Sequence, residues 1–187
     1  MKSVLISIQP KWCELIASGK KTVEVRKTKP KLKTPFKVYI YCTMPKNKHD
    51  NLVLTPFGYD VDSEEAYCNY TGNSNGKVIG EFVCDTFIID KTFGHDALFN
   101  AAACLSDADA ASYCLNKEMY GWHISDLVIY DKPRELSEFR TPCKMRERLC
   151  GICDYAVHGM DGDLIDCDTS LERPPQSWCY VESEDKE

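Results

Sequence analysis

The chain has 187 residues, 43% of them hydrophobic and 11% aromatic, with a net charge of −6 and 11 cysteines. Such a composition excludes a disordered chain, and the length is enough to bury a real core in one domain without crosslinks. The negative total argues against a generic nucleic-acid coat. The charge is uneven, however: eight basic residues against Glu24 alone lie between Lys20 and Lys37, and ten acids against Arg173 and Lys186 lie between Asp154 and Glu187. A local basic stripe can bind phosphate even when the total charge is negative. The first apolar run, Val4 to Ile8, is too short for a signal-peptide core or a membrane span. The expected location is therefore the reducing cytoplasm, where cysteines stay free or bind metal.

Lys2 to Ile8 alternates as a strand. Pro10 suits the first turn of a helix that carries Trp12, Leu15 and Ile16 on one face, and Gly19 suits its end. Thr22 to Lys27 alternates again, with Val23 and Val25 on the core face and Glu24 and Arg26 on the other, within reach of each other. That charged face is expected to point away from the core, with Lys21 exposed at its mouth. The basic segment Lys27 to Pro35 reads as a loop and Phe36 to Cys42 as a strand. Residues 44–75 are polar and read as an insertion. Lys77 to Ile89 reads as one long strand kinked near Gly80. Ser106 and Asp109 form a capping-box pattern that predicts a helix running to about Met119. His123 to Tyr130 reads as a strand closed by Lys132-Pro133. A second, cysteine-rich insertion follows over residues 140–175, and Ser177 to Glu182 is a last short strand. These elements predict a single α+β domain: a small mixed or antiparallel barrel with short flanking helices and two inserted loops.

The spacing Gly19-x-Lys21-x-x-Glu24-x-Arg26, following a short strand and a helix that begins near Trp12, resembles the GxKxxExR signature of the ASCH family, part of the PUA-like superfamily of small barrels. Residues 76–82 resemble the family's central strand. Residues 120–127 and 173–181 look like the longer ASCH proteins of bacteria and their phages. The resemblance implies a cleft with Lys21, Glu24 and Arg26 on its wall and RNA or a modified nucleoside as ligand. Lysine and arginine can hold a phosphate or a polarised carbonyl, glutamate can accept from an exocyclic amine, and Trp12 can stack on a base. An alternative implied by the same resemblance is hydrolysis: deacylation of N4-acylated cytidine, with Lys21 and Glu24 as the catalytic pair acting through a water, or cleavage of RNA. A threonine is the proposed nucleophile of the deacylating branch. Its place is held here by Glu24, with Thr22 two residues earlier, so that nucleophile does not carry over. A third alternative is a non-catalytic interaction module.

Trp122 and Trp178 are candidates for base stacking or for core packing, and His123 for a proton shuttle or a structural role. Cys13, Cys42, Cys84, Cys104 and Cys114 fall on apolar faces and read as small core residues. Cys143, Cys150, Cys153 and Cys167, with His158 as a spare ligand, offer one CxxC half of a structural zinc site; a set of free thiols is the plainer alternative. No other cofactor is expected, since GxGxxG, P-loop and GxSxG patterns are all missing.

Overall fold

The computed structural model describes residues 2–45, 74–115, 117–143, 156–161, 164–167 and 169–182. Chain order is β1 (Lys2–Ile8), α1 (Pro10–Ala17), β2 (Val23–Arg26), β3 (Phe36–Cys42), β4 (Lys77–Cys84), β5 (Phe87–Asp90), α2 (Ala97–Ala102), α3 (Asp107–Cys114), β6 (Met119–His123), β7 (Ser125–Arg134), β8 (Ala156–His158), β9 (Leu164–Cys167) and β10 (Trp178–Glu182). Five strands form one sheet in the order β10-β1-β3-β4-β7, three form a second in the order β2-β6-β5, and β8-β9 is a separate hairpin. β1 and β3 are parallel, because α1 and β2 intervene between them as a crossover; every other pairing among the described residues is antiparallel.

The α+β class stands; among the described residues no sheet closes on itself, so two sheets are seen and the expected barrel is not confirmed. The physical reason lies in two bends. The run expected as one strand from Lys77 to Ile89 breaks at Asp85-Thr86, so that β4 belongs to the first sheet and β5 to the second. The run around Trp122 breaks at Ile124, sending β6 to the second sheet and β7 to the first. The bends are fastened together. His123 N donates to Thr86 O at 3.1 Å, and His123 Nδ1 lies 2.7 Å from Asp85 Oδ1. Pro133 does not end the strand as expected. β7 is an edge strand, where a missing N–H is tolerated.

The second sheet separates two apolar clusters. Val23, Val25 and Met119 face α2 and α3, joining Phe99, Ala103, Ala110 and Cys114. Trp122 faces the first sheet and packs with Val4, Ile6, Ile8, Val38, Ile40, Ile79 and Phe82. The other side of the first sheet buries Leu5, Tyr39, Val78 and Val181 beneath Phe139. Cys13, Cys42, Cys84 and Cys114 are buried and Cys104 half-buried. Burial pushes the Cys84 thiol up to about 12.

Helix α3 starts on the expected cap, Ser106 Oγ accepting from Asp109 N at 3.1 Å. It stops at Cys114, earlier than expected, because Leu115 turns left-handed at φ 48° and Met119 is taken into β6 as a core residue. Helix α2 has no counterpart in the sequence reading; Asp96 caps it by accepting from Phe99 N at 3.0 Å. Of the first insertion, residues 46–73 lie outside the described residues, as do 144–155 of the second. The zinc expectation falls there too: Cys150, Cys153 and the side chain of Cys167 are outside the described residues, while Cys143 is exposed. No helix among the described residues is long and apolar enough to cross a membrane.

Gly121 allows the second sheet to meet α2. A Cβ there would stand 2.6 Å from both Phe99 Cε2 and Val23 Cγ1, closer than real contacts permit. Gly121→Ala is expected to cost about 1–3 kcal/mol by overpacking. Urea denaturation checks this, and the slope of free energy against urea should stay that of the parent.

Candidate functional site

The charged face of β2 is not exposed. Glu24 keeps 5% of its accessible surface and Lys21 only 3%. The alternation expected for the strand is present, but both of its faces are covered, the valines by α2 and α3 and the charges at the floor of a cleft. Glu24 lies opposite Trp122 in the β2-β6 register and so shares its side of the sheet.

Three cationic or anionic groups meet there. Arg26 Nη2 lies 2.9 Å from Glu24 Oε1 and donates at 2.6 Å to the carbonyl of Ser7 in β1. Lys21 Nζ lies 3.6 Å from Glu24 Oε2 and donates at 2.7 Å to the carbonyl of Ala103, just past α2. The backbone holds Lys21 in place as well, its N–H donating to Leu15 O at 2.9 Å. Thr22 is exposed and its N–H goes to Ala102 O, so its hydroxyl is not part of this group.

Above the floor is a cleft of about 770 Å³, walled by α1 with Lys11 and Trp12, by α3 with Asp109, Ser112 and Tyr113, and by Pro174 to Gln176. A volume in this range holds a small organic ligand. The two aromatic walls carry cations: Lys11 Nζ and Lys21 Nζ lie 4.1 and 5.0 Å from the centre of the Trp12 ring, and Lys27 Nζ lies 4.9 Å from that of Tyr113. Burial pushes the Tyr113 phenol up, while Arg26 and Glu24 act on it in opposite senses.

Of the predicted residues, the fold brings Trp12, Lys21, Glu24 and Arg26 to one cleft. It does not bring Trp122 or Trp178 there. Trp122 is fully buried against Phe36, Phe87 and Trp178. Trp178 packs on Tyr180, and its Nε1 donates to Thr28 Oγ1 at 3.0 Å. His123 sits at the bend with Asp85, away from the cleft lining. The sequence reading missed Tyr113 and the Ala103 carbonyl. The capping signal at Ser106 placed α3 in the chain, but nothing local says that it packs against β2.

A buried lysine–glutamate–arginine cluster thus lies under an aromatic-walled cleft, built on a strand–helix–strand crossover of an α+β domain. Residues 6–83, from β1 into β4, match the ASCH domain family. The fold is similar to the crystal structure of ASCH from Zymomonas mobilis, with 18% identity, a TM-score of 0.52, and coverage of 97% of this chain and 89% of that one. A mutant of the same bacterial protein matches with 20% identity, a TM-score of 0.51, and coverage of 73% and 77%. No curated protein matches the sequence. Helix α3, with Tyr113, lies beyond the matched residues.

An exposed lysine, as the sequence pattern suggests for Lys21, would contribute little to stability. Its burial reverses that. Lys21→Ala strands the Ala103 carbonyl and removes one cation from Glu24, so a loss of about 1–3 kcal/mol in urea denaturation is expected. Burial also lowers the pKa of Lys21 from its ordinary 10.5, with Glu24 opposing. The folded state thus holds this proton less tightly than the unfolded chain. The cost of the charge is fully present below the lowered value and eases as pH rises through it towards 10.5. The stability of the parent relative to Lys21→Met should therefore rise as pH rises towards 10.5, and a flat difference would contradict it.

Proposed function

We propose that the cleft binds a base of RNA or of a modified nucleoside, with Glu24 reading the base edge and Trp12 and Tyr113 flanking its plane. The observation that carries this reading is the Glu24 carboxylate, buried at the cleft floor between Lys21 and Arg26. A carboxylate has about four acceptor positions. Two cations leave acceptor capacity facing the cleft, which suits an exocyclic amine such as that of cytosine. Two cations against one anion also leave the floor net positive, favourable for a carbonyl or phosphate oxygen. Arg26 Nε is buried with no hydrogen-bond partner among the described residues, a further donor for such an oxygen. The aromatic walls supply stacking. The match of residues 6–83 to the ASCH domain family supports the same class of ligand.

A second reading is hydrolysis of an N4-acylated cytidine. One observation favours it: burial lowers the pKa of Lys21, which makes its amine easier to deprotonate beside Glu24. In that case Lys21 and Glu24 handle the proton and the charge of the acyl oxygen.

Calorimetric titration of cytidine and N4-acetylcytidine tests both readings. Trp12→Ala is expected to weaken binding about 5- to 100-fold, the loss of one stacked base. No binding by the parent would overturn the reading. Acetate release by the parent that disappears in Glu24→Gln would move the assignment to the hydrolase, whereas binding without release leaves a reader of bases. Incubation with labelled RNA, resolved on a gel, separates cleavage from binding alone.

A further inference from the structure

From Lys27 to Lys33 the chain reads Lys-Thr-Lys-Pro-Lys-Leu-Lys. We infer that this loop is a phosphate track that continues the cleft along the surface, so that the ligand is a stretch of single-stranded RNA and not a free nucleoside. The inference rests on the base-binding reading of the cleft and adds the class of its ligand.

The loop is held to the body of the protein at several points. Pro30 is buried and Leu32 is packed against the main core, while Lys27, Lys29, Lys31 and Lys33 are all exposed. Thr28 Oγ1 accepts from Trp178 Nε1 at 3.0 Å, and the Lys31 N–H donates to Tyr180 Oη at 2.8 Å. Lys29 Nζ lies 5.2 Å from the centre of the Phe87 ring and 5.5 Å from that of Tyr120. Four like charges are thus kept on one short loop, and among the described residues none of them has an ion-pair partner. A mobile loop would let them spread; an anchored one holds them ready for a multivalent anion. A solvated surface needs no such anchoring.

Position selects the anion. Lys27 lines the cleft, so the row of charge begins where a bound base would sit. Along the row lie the half-buried rings of Phe87, Tyr120, Trp178 and Tyr180, beside the backbone contacts that hold the loop. Lysines next to aromatic faces are what a polynucleotide with unpaired bases requires. A duplex hides those faces, and an anionic membrane has no use for a base-sized cleft at one end of the charge.

The test uses the full chain and a triple variant, Lys29→Gln with Lys31→Gln and Lys33→Gln, which spares the cleft-lining Lys27. Binding of an oligocytidylate RNA of about 12 nucleotides is measured between roughly 50 and 200 mM KCl, beside binding of cytidine alone. Each phosphate contact on a single strand contributes about −0.7 to the slope of log K against log salt, so the variant should be shallower by about 2. Cytidine affinity should not change. An unchanged slope, or no oligonucleotide binding by the parent, overturns the track. Loss of cytidine binding in the variant overturns it too, because the loop would then support the cleft and not a backbone. Parent binding of anionic phosphatidylserine vesicles that the variant loses, with no effect on RNA, assigns the lysines to a membrane and overturns it as well. Trp12→Ala keeps the two readings apart: if oligonucleotide binding ignores that change yet follows the triple variant, the track stands and the base cleft falls.

Discussion

The rest of the site depends on the carboxylate of Glu24 being buried with a cation on each oxygen. Lys21 extends from it to the carbonyl of Ala103, and Arg26 to the carbonyl of Ser7. One acid therefore joins three elements: β2, the end of α2, and β1. Such a cluster is costly to desolvate and adds little net stability over an apolar replacement of the same shape. Its members are nevertheless hard to remove singly, since each deletion leaves a buried partner unsatisfied. Burial in a water-poor floor also strengthens whatever the three groups do to a ligand, because the local dielectric is lower than at the surface.

Around that cluster the fold solves a problem of coverage. A strand with valines on one face and charges on the other would ordinarily give the charges to water. Here β2 sits between α2 and α3 on one side and α1 with the first sheet on the other. The charges meet a cleft in place of bulk solvent. The bends at Asp85-Thr86 and Ile124 make this arrangement possible by turning two long runs from one sheet into the next, and the His123 and Asp85 pair fastens the bends to each other.

Much of this was legible in the sequence, and the parts that were not share a cause. β1, α1, β2 and β3 follow directly from alternation, from Pro10 and from Gly19, all local signals. The ion pair between Glu24 and Arg26 also follows from strand period alone. The burial of Lys21 does not, because its partner carbonyl at Ala103 is 82 residues away. Trp122 and Trp178 look alike as candidate stacking residues, yet only long-range packing decides that both leave the cleft while Trp12 stays on it. The division into two sheets was illegible for a related reason: the pattern of Lys77 to Ile89 records that the residues are extended and apolar, not that the chain turns between sheets at Asp85. Tyr113 is legible as part of a capped helix and illegible as a wall of the cleft.

The position of β10 has a consequence for the order of events during synthesis. β1 is paired on one side with β3 and on the other with β10, with Lys2 facing Glu182. Ser7, whose carbonyl receives Arg26, is also bound through its N–H to Ser177 O and through its hydroxyl to Pro175 O, and Pro174 to Gln176 wall the cleft. At ribosomal speeds of about 5–20 residues per second, β10 follows β1 out of the ribosome by roughly 10 to 35 seconds. During that interval β1 has one open flank and the cleft lacks a wall. A nascent chain thus carries the charged motif long before it has a closed site, and the closing of the pocket coincides with the arrival of the last strand.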